Sequence, residues 1–207
     1  MIAIVDCGSG NLRSVEKAFE NLGFDARITD DTGAVENAAG VVLPGQGFFR
    51  ECVEGLRERA LTQPVLDAIA AGKPFLGICV GLQMLFEGSD ESPDVAGFGL
   101  FKGRVRKFTD LPREFKIPHM GWNQIKFCMN SAPPLFEGID SGDYFYFVHS
   151  FYGDPDIKED ALCRTSYGVS FASGVWRDKV FGLQFHPEKS QSKGLTILRN
   201  FGRMCDG

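Results

Sequence analysis

The residues Gly77-Ile78-Cys79-Val80-Gly81 combine a nucleophile with glycines two positions away on either side. This small-x-nucleophile-x-small pattern, placed between an apolar strand and a following helix, is that of a nucleophile elbow. The turn is too tight for large flanking side chains, and it projects the nucleophile at the carboxyl edge of a sheet, where open α/β folds bind ligands. The following helix, expected to run through Leu82, Leu85 and Phe86, points its N-terminal N–H groups at the sulfur and lowers the thiol pKa. The bland alternative is a buried free cysteine in a glycine-rich turn. A cysteine nucleophile needs a base and a group to orient it, and the chain has three histidines, His119, His149 and His186. In Gln184-Phe185-His186-Pro187-Glu188, an extended backbone puts His186 and Glu188 on one side, where the carboxylate can hold the imidazole. Alone, such a pair is more often a surface feature. Beside an elbow cysteine it makes a Cys79–His186–Glu188 triad.

Two further segments bear on that chemistry. Pro44-Gly45-Gln46-Gly47 ends a strand expected next to the elbow strand, and its glycines let backbone N–H groups turn toward a substrate oxygen; an ordinary Gly-rich turn is the alternative. Gln83 lies four residues after Cys79, one helical turn on, and can face the same cleft. His149 reads as a structural histidine at a strand end, and His119, with no evident partner, also as structural. Gly8-Ser9-Gly10-Asn11-Leu12-Arg13 lacks the third glycine of a dinucleotide fingerprint, so nucleotide binding is rejected there. Arg104, Arg106 and Lys107 read as a solvated strand face.

The elements that must position these groups alternate through the first half. Strands are expected at Ile2–Val5, Phe24–Thr29, Gly40–Leu43 (stopped by Pro44 and Gly45) and Pro74–Ile78. Helices are expected from Asn11 to Leu22, with Gly23 to end it, then over Phe49–Leu61 and Val65–Ala71. Short apolar strands separated by helices predict a parallel, doubly wound sheet with helices on both faces. After about Gly97 the strand signals at 105–108, 122–127, 144–148, 169–176 and 180–185 are joined by turns, which predicts an antiparallel β extension. Leu195, Leu198, Phe201 and Met204 mark a final helix. The fold class is α/β, and residues 1–207 read as a single domain.

Composition narrows the partners. With 22 Lys and Arg against 27 Asp and Glu, the net charge of -5 argues against a nucleic-acid or anionic-membrane grip. At 43% hydrophobic and 24% charged, the chain is that of a soluble globule. The first residues lack the basic region and cleavage site of a secretory signal, and no apolar run approaches the ~20 residues of a membrane-spanning helix. Six scattered cysteines without a CxxC pair suit neither zinc nor a disulfide framework and fit a reducing cytoplasm.

The GxCxG elbow with a distant HPE resembles the class I, triad-type glutamine amidotransferases. The segments DCGSGNLRSV (6–15), LPGQG (43–47), GICVGLQMLF (77–86), MGWN (120–123), FVHS (147–150) and QFHPEKS (184–190) resemble, within that family, the glutaminase subunits of imidazole glycerol phosphate synthase. The resemblance spans essentially the whole chain. It implies that Cys79 attacks the glutamine side-chain amide to form a γ-glutamyl thioester, that His186 moves the protons, and that Glu188 orients it. It implies oxyanion donors from the Gly45, Gln46 and Gly47 loop and from the Val80 amide. Gln83, His149, Ser150 and Phe151 become glutamine ligands. Gly10, Asn11 and Lys189 are placed at the face that meets a separate (β/α)₈ cyclase subunit, forming a heterodimer, although Lys189 alone would read as a solvated lysine. The loop's Gln46 replaces a residue that is often small or β-branched in the family, and Cys7 a tyrosine. No cofactor or metal is called for. The same residues leave open a paralogue feeding ammonia to another acceptor, such as a surface-sugar amidotransferase, and a module that binds partners without turnover. A γ-glutamyl peptidase or general cysteine hydrolase would share the elbow without explaining GSGN or Lys189.

Overall fold

Strands β1 (Ile2–Val5), β2 (Ala26–Thr29), β3 (Gly40–Gly45) and β4 (Phe75–Cys79) are short; β1, β3 and β4 are apolar and buried along their whole length, while the edge strand β2 exposes Arg27. In the computed structural model, which describes residues 1–109, 111–129 and 133–206, they lie parallel in the order β2-β1-β3-β4. The helices between them are α1 (Leu12–Asn21), α2 (Thr32–Glu36), α3 (Phe49–Glu58) and α4 (Thr62–Ala70). From β1 the chain crosses to β2 on one side and then back over β1 to β3 on the other. Right-handed crossovers in opposite directions put α1 and α2 on opposite faces, which is why the inner strands β1, β3 and β4 need no polar side.

After the four-residue helix α5 (Val80–Gln83), the chain forms β5 (Gly88–Ser89), β6 (Ser92–Ala96), β7 (Gly103–Lys107), β8 (His119–Gln124), β9 (Lys126–Phe127), β10 (Tyr144–His149), β11 (Phe151–Pro155), β12 (Ala161–Tyr167), β13 (Val169–Arg177) and β14 (Val180–Leu183), and closes with α6 (Gln191–Asp206). β14 adds parallel to β4, and β13, β12 and β9 continue the same sheet antiparallel, making eight strands. β10 pairs with β8 as a separate ribbon, and β11-β7-β5-β6 forms a small third sheet. α6 packs on α1 through Phe201 and Phe19, whose rings are 6.1 Å apart.

The expected α/β architecture and antiparallel extension are present, with corrections in detail. Pro44 does not stop β3, which pairs on through Pro44↔Ile78 and Gly45↔Cys79. Val41 donates to Pro74 O on the β4 side, so by alternation the nitrogen of Pro44 faces β1, past the last register pair, Ile4↔Val42, and no ladder bond is lost. The elbow helix is shorter than its apolar spacing suggests. The carbonyls of Met84, Leu85 and Phe86 accept from Phe98, Phe101 and Gly99, so the chain leaves the helix after Gln83. The extension divides among three sheets, and the sequence reading passed over α2, β5, β6, β11 and β12. Among the described residues no helix is long and apolar enough to cross a membrane.

Candidate active site

Cys79 stands where β4 ends and α5 begins, with φ +56° and ψ -107°, a conformation a non-glycine residue holds only where its surroundings enforce it. The two flanking glycines supply the enforcement. A Cβ on Gly81 would lie 1.8 Å from Leu43 O, and one on Gly77 would lie 2.5 Å from Gly81 O. The elbow is therefore clamped between β3 and its own helix start, with backbone against backbone. A Cβ on Gly45 would meet the Val80 side chain at 2.8 Å, so the 45–47 loop and the Val80 side of the elbow are in contact. Gly47 adopts φ +87°, open to glycine, where the loop turns into α3. The four-residue α5 leaves little helix to bias the thiol, and the charge pairing comes from elsewhere.

That pairing is with the neighbouring strand. β14 runs in register with β4 through Gly182↔Gly77 and Leu183↔Ile78, so the residues that follow it emerge beside Cys79. His186 Nδ1 lies 2.9 Å from Glu188 Oε1, both side chains at most 2% exposed. Nε2 is buried and has no hydrogen-bond partner among the described residues, leaving it to the sulfur. Burial works against the imidazolium. The Cys79 sulfur and then Glu188 outweigh it and raise His186 to about 10. The segment is pinned by His186 N–H donating to Tyr146 O (2.9 Å), and by Ser190, whose hydroxyl donates to His186 O (2.6 Å) and accepts from Tyr146 N–H (3.0 Å).

One cleft is lined by Gln46, Gly47, Cys79, Val80, Gln83, His149, Ser150, Phe151, His186 and Lys189. The structure thus brings the triad, the loop and the expected glutamine ligands together. Lys189 is exposed at the cleft's edge, and Gly10 and Asn11 are half-buried in the β1–α1 loop. Asn11 does more than face outward: its Nδ2 donates to Glu188 Oε1 (3.4 Å), while its Oδ1 accepts from Ser14 Oγ (2.7 Å). Cys7, under the same loop, is buried with its thiol 3.4 Å from Ser9 O.

His119 is not partnerless. Its Nδ1 is 3.0 Å from His149 Nε2, and His149 Nδ1 is 2.8 Å from Phe151 O. Burial lowers His119 to about 4; burial and then the neighbouring His119 lower His149 to about 3, so both are neutral near pH 7. The tautomers follow. His149 Nδ1–H donates to the Phe151 carbonyl, its bare Nε2 accepts from His119 Nδ1–H, and His119 Nε2 accepts from Asn123 Nδ2 at 3.2 Å. Asn123 is oriented by its Oδ1 accepting from Gln124 N–H (2.8 Å). Alternation along β8 signals this: His119, Gly121 and Asn123 share its inner face.

Two residues at the site carry no sequence signal of their own. Glu91 also lines the cleft, its Oε2 accepting from Phe49 N–H at 2.6 Å, and it carries no motif. Gln184 is fully buried, with Nε2 3.7 Å from Cys79 Sγ and Oε1 3.3 Å from Gln83 Nε2. Its signal was its place two residues before His186, on the same side of an extended chain.

The class-I glutamine amidotransferase family profile matches residues 3–205. The chain is 48% identical to "Imidazole glycerol phosphate synthase subunit HisH" of Syntrophotalea carbinolica, over 99% of this chain and all of that one. It is 47% identical to the protein of the same name in Geobacter metallireducens, covering 97% and 96% of the two chains. A crystal structure of a glutamine amidotransferase superposes with a TM-score of 0.76 at 17% identity, covering 100% of this chain and 99% of that one. PurLQS from Thermotoga maritima gives 0.71 at 22%, covering 97% and 96%. Those two likenesses speak for the fold, and the sequence matches speak for more: the chain belongs to the class-I glutamine amidotransferases.

Proposed function

We propose that the chain is the glutaminase subunit of an imidazole glycerol phosphate synthase. It hydrolyses L-glutamine and passes ammonia to a cyclase subunit in histidine biosynthesis, acting as one amidotransferase domain in the cytoplasm. The observation that carries the chemistry is the strained elbow cysteine beside a buried His186–Glu188 pair. Full-length relatives of that name support the pathway.

In this reading Cys79 Sγ, as thiolate, adds to the glutamine δ-carbonyl. The oxyanion takes N–H donors from the Gly45–Gln46–Gly47 loop and from Val80. His186 gives its proton to the departing nitrogen as the C–N bond breaks, leaving a γ-glutamyl thioester. It then takes a proton from water, which attacks the thioester and releases glutamate. Glu188 keeps Nδ1 protonated and offsets the imidazolium charge throughout. Gln83, Ser150 and Phe151 line the wall for the substrate amino acid, with His149 bracing Phe151. Glu91 brings a carboxylate to the cleft for the α-ammonium group.

A partner surface adjoins the cleft. On the β8–β10 ribbon, Met120, Trp122, Tyr144, Tyr146 and Val148 share the outer face, because Met120 stands opposite Val148 and Trp122 opposite Tyr146. Met120 is 62% and Trp122 45% exposed, and Phe48 beside the 45–47 loop is 60%. Exposed apolar groups gathered at the rim of a reactive cleft fit a protein docked over it. We assign that place to a (β/α)₈ cyclase, with Gly10, Asn11 and Lys189 at the same boundary. Asn11 then links the boundary to Glu188.

The test is glutamate release by the purified chain, with and without a cyclase subunit carrying its ribonucleotide ligand, beside Cys79→Ala and Asn11→Ala. Expected are strong stimulation by the liganded partner, none in Cys79→Ala, and stimulation blunted in Asn11→Ala with basal turnover less affected. Turnover that depends on Cys79 but ignores the cyclase overturns the pathway assignment and leaves the glutaminase.

A further inference from the structure

The Cys79 sulfur has a second polar neighbour besides the triad histidine. Gln184 continues β14, and its backbone N–H donates to Ser173 O at 2.9 Å, so the sheet fixes where its side chain starts. The side chain is fully buried and spans two contacts, Nε2 to Cys79 Sγ at 3.7 Å and Oε1 to Gln83 Nε2 at 3.3 Å.

The direction of this amide follows from the network around it. Gln83 Nε2 lies 3.1 Å from the backbone carbonyl of Phe151, which can only accept, so the NH₂ group of Gln83 faces that way. The same nitrogen reaches Gln184, which must therefore present Oε1 to it and turn its own NH₂ toward the sulfur. The Gln83 donors are both used, and its Oε1 is left for the cleft. The chain of donors thus ends at Cys79.

A donor aimed at a buried sulfur favours the thiolate over the thiol. Cys79 is 5% exposed, so water supplies little of that solvation, and the short α5 supplies little more. We propose that Gln184 is a catalytic residue, whose side-chain amide donates to Cys79 Sγ and stabilises the thiolate both before attack and when the sulfur is expelled from the thioester.

This rests on Cys79 being the nucleophile. In the second half-reaction water adds to the thioester carbonyl and loses its proton to His186. The tetrahedral intermediate then collapses, the C–S bond breaks, and its electron pair passes to Sγ. The amide of Gln184 is a second donor, beside the Nε2–H of the His186 imidazolium, in place to receive that charge.

The experiment is the pH dependence of Cys79 alkylation by iodoacetamide in the full chain, wild type and Gln184→Leu. Glutamate release in the presence of the cyclase is measured in parallel. Losing the donor should move the acid limb of the alkylation profile up by about one pH unit, a tenfold loss of thiolate on that limb. It should lower kcat about tenfold, with KM for glutamine within about twofold. An unmoved profile overturns the proposal even if turnover falls, because a purely structural residue would cost activity without shifting the thiol. Should Gln184→Leu fail to fold, two measurements stand in for it. Gln184→Asn, too short to reach the sulfur, should show the same shift, and the wild-type Gln184 side-chain NH₂ resonances should move with the Cys79 titration. Resonances indifferent to that titration overturn the proposal. Cys79→Ala separates the two ideas: turnover surviving it refutes the nucleophile, whereas turnover lost with an unmoved Gln184→Leu profile refutes only the role of Gln184.

Discussion

Replacing Gly81 with alanine tests whether the elbow's glycines are required by contact rather than by chain flexibility. The added methyl would sit 1.8 Å from Leu43 O, and atoms of this kind do not approach within 3.0 Å, so the separation must open by more than an ångström. The obstructing oxygen belongs to β3, a strand buried on both sides and paired with β1 and β4, and cannot retreat. The alternative is for α5 to tilt away, carrying Val80 N–H and the Cys79 backbone with it. Gly77 closes that route further, since it faces Gly81 O and Leu82 N across the turn. Overpacking of this sort costs about 1–3 kcal/mol of stability. A misplacement of about 1 Å at reacting groups costs about a hundredfold in rate. The expected result is therefore a folded protein with a lowered urea midpoint and kcat/KM for glutamine down by about two orders of magnitude, measured as glutamate release with the cyclase present. Activity within about threefold of wild type would refute the reasoning, because it would mean that the turn reopens without moving the sulfur.

Glu188→Gln removes the charge from a buried 2.9 Å contact, so kcat should fall about ten- to a hundredfold from the loss of a charged hydrogen bond of about 1.5–3 kcal/mol, with little change in KM. An NMR titration should find His186 still protonated until about pH 10 against its ordinary 6.5, and Cys79→Ala should lower that midpoint because burial is then opposed only by Glu188. Since the folded state holds this proton more tightly than the unfolded chain, the stability it contributes is full below pH 6.5 and lost as pH rises through about 10; denaturation midpoints that show no such loss attributable to His186 would contradict it. His119→Phe keeps the ring that stacks on Phe147 but leaves His149 Nε2 buried without its donor, which should cost about 1–3 kcal/mol in urea unfolding and raise KM for glutamine several-fold.

What the sequence revealed and what it hid divide along a physical line. β1, β4 and α1 were legible because their apolar periodicity is strong and their ends carry glycine. Cys79 and His186 were legible because each is a rare chemical type set in a restrictive backbone pattern. β3 running through Pro44 was not, because whether a proline breaks a strand depends on which neighbour its nitrogen faces, a property of the sheet and not of the segment. The division of the later strands among three sheets was hidden for the same reason: local alternation marks a strand without naming its partner. His119 read as partnerless because its partner is His149 on another strand, thirty residues away. Gln184, buried against the Cys79 sulfur, and Glu91, lining the cleft, carry an amide and a carboxylate, and neither residue type is rare enough to call attention to itself.

The register of β14 against β4 has a further consequence. Cys79 ends β4 and His186 follows three residues after the end of β14, so the inter-strand step of about 4.8 Å sets where the two segments start and the bonds of His186 to Tyr146 and Ser190 fix the rest. Side chains of the rim can then vary while the backbone that holds the pair stays in place. Because Tyr146 holds the His186 segment through its backbone, side chains on the proposed docking face of β8–β10 can be redrawn without breaking those bonds, whereas Asn11 of the β1–α1 loop must stay for its bond to Glu188. In the proposed docking, a partner acts on the site through the 45–47 loop and the Asn11–Glu188 contact. Chemistry and the proposed client recognition then meet at that loop and at Asn11, and a graft of the β8–β10 side chains is a rational route to a new acceptor.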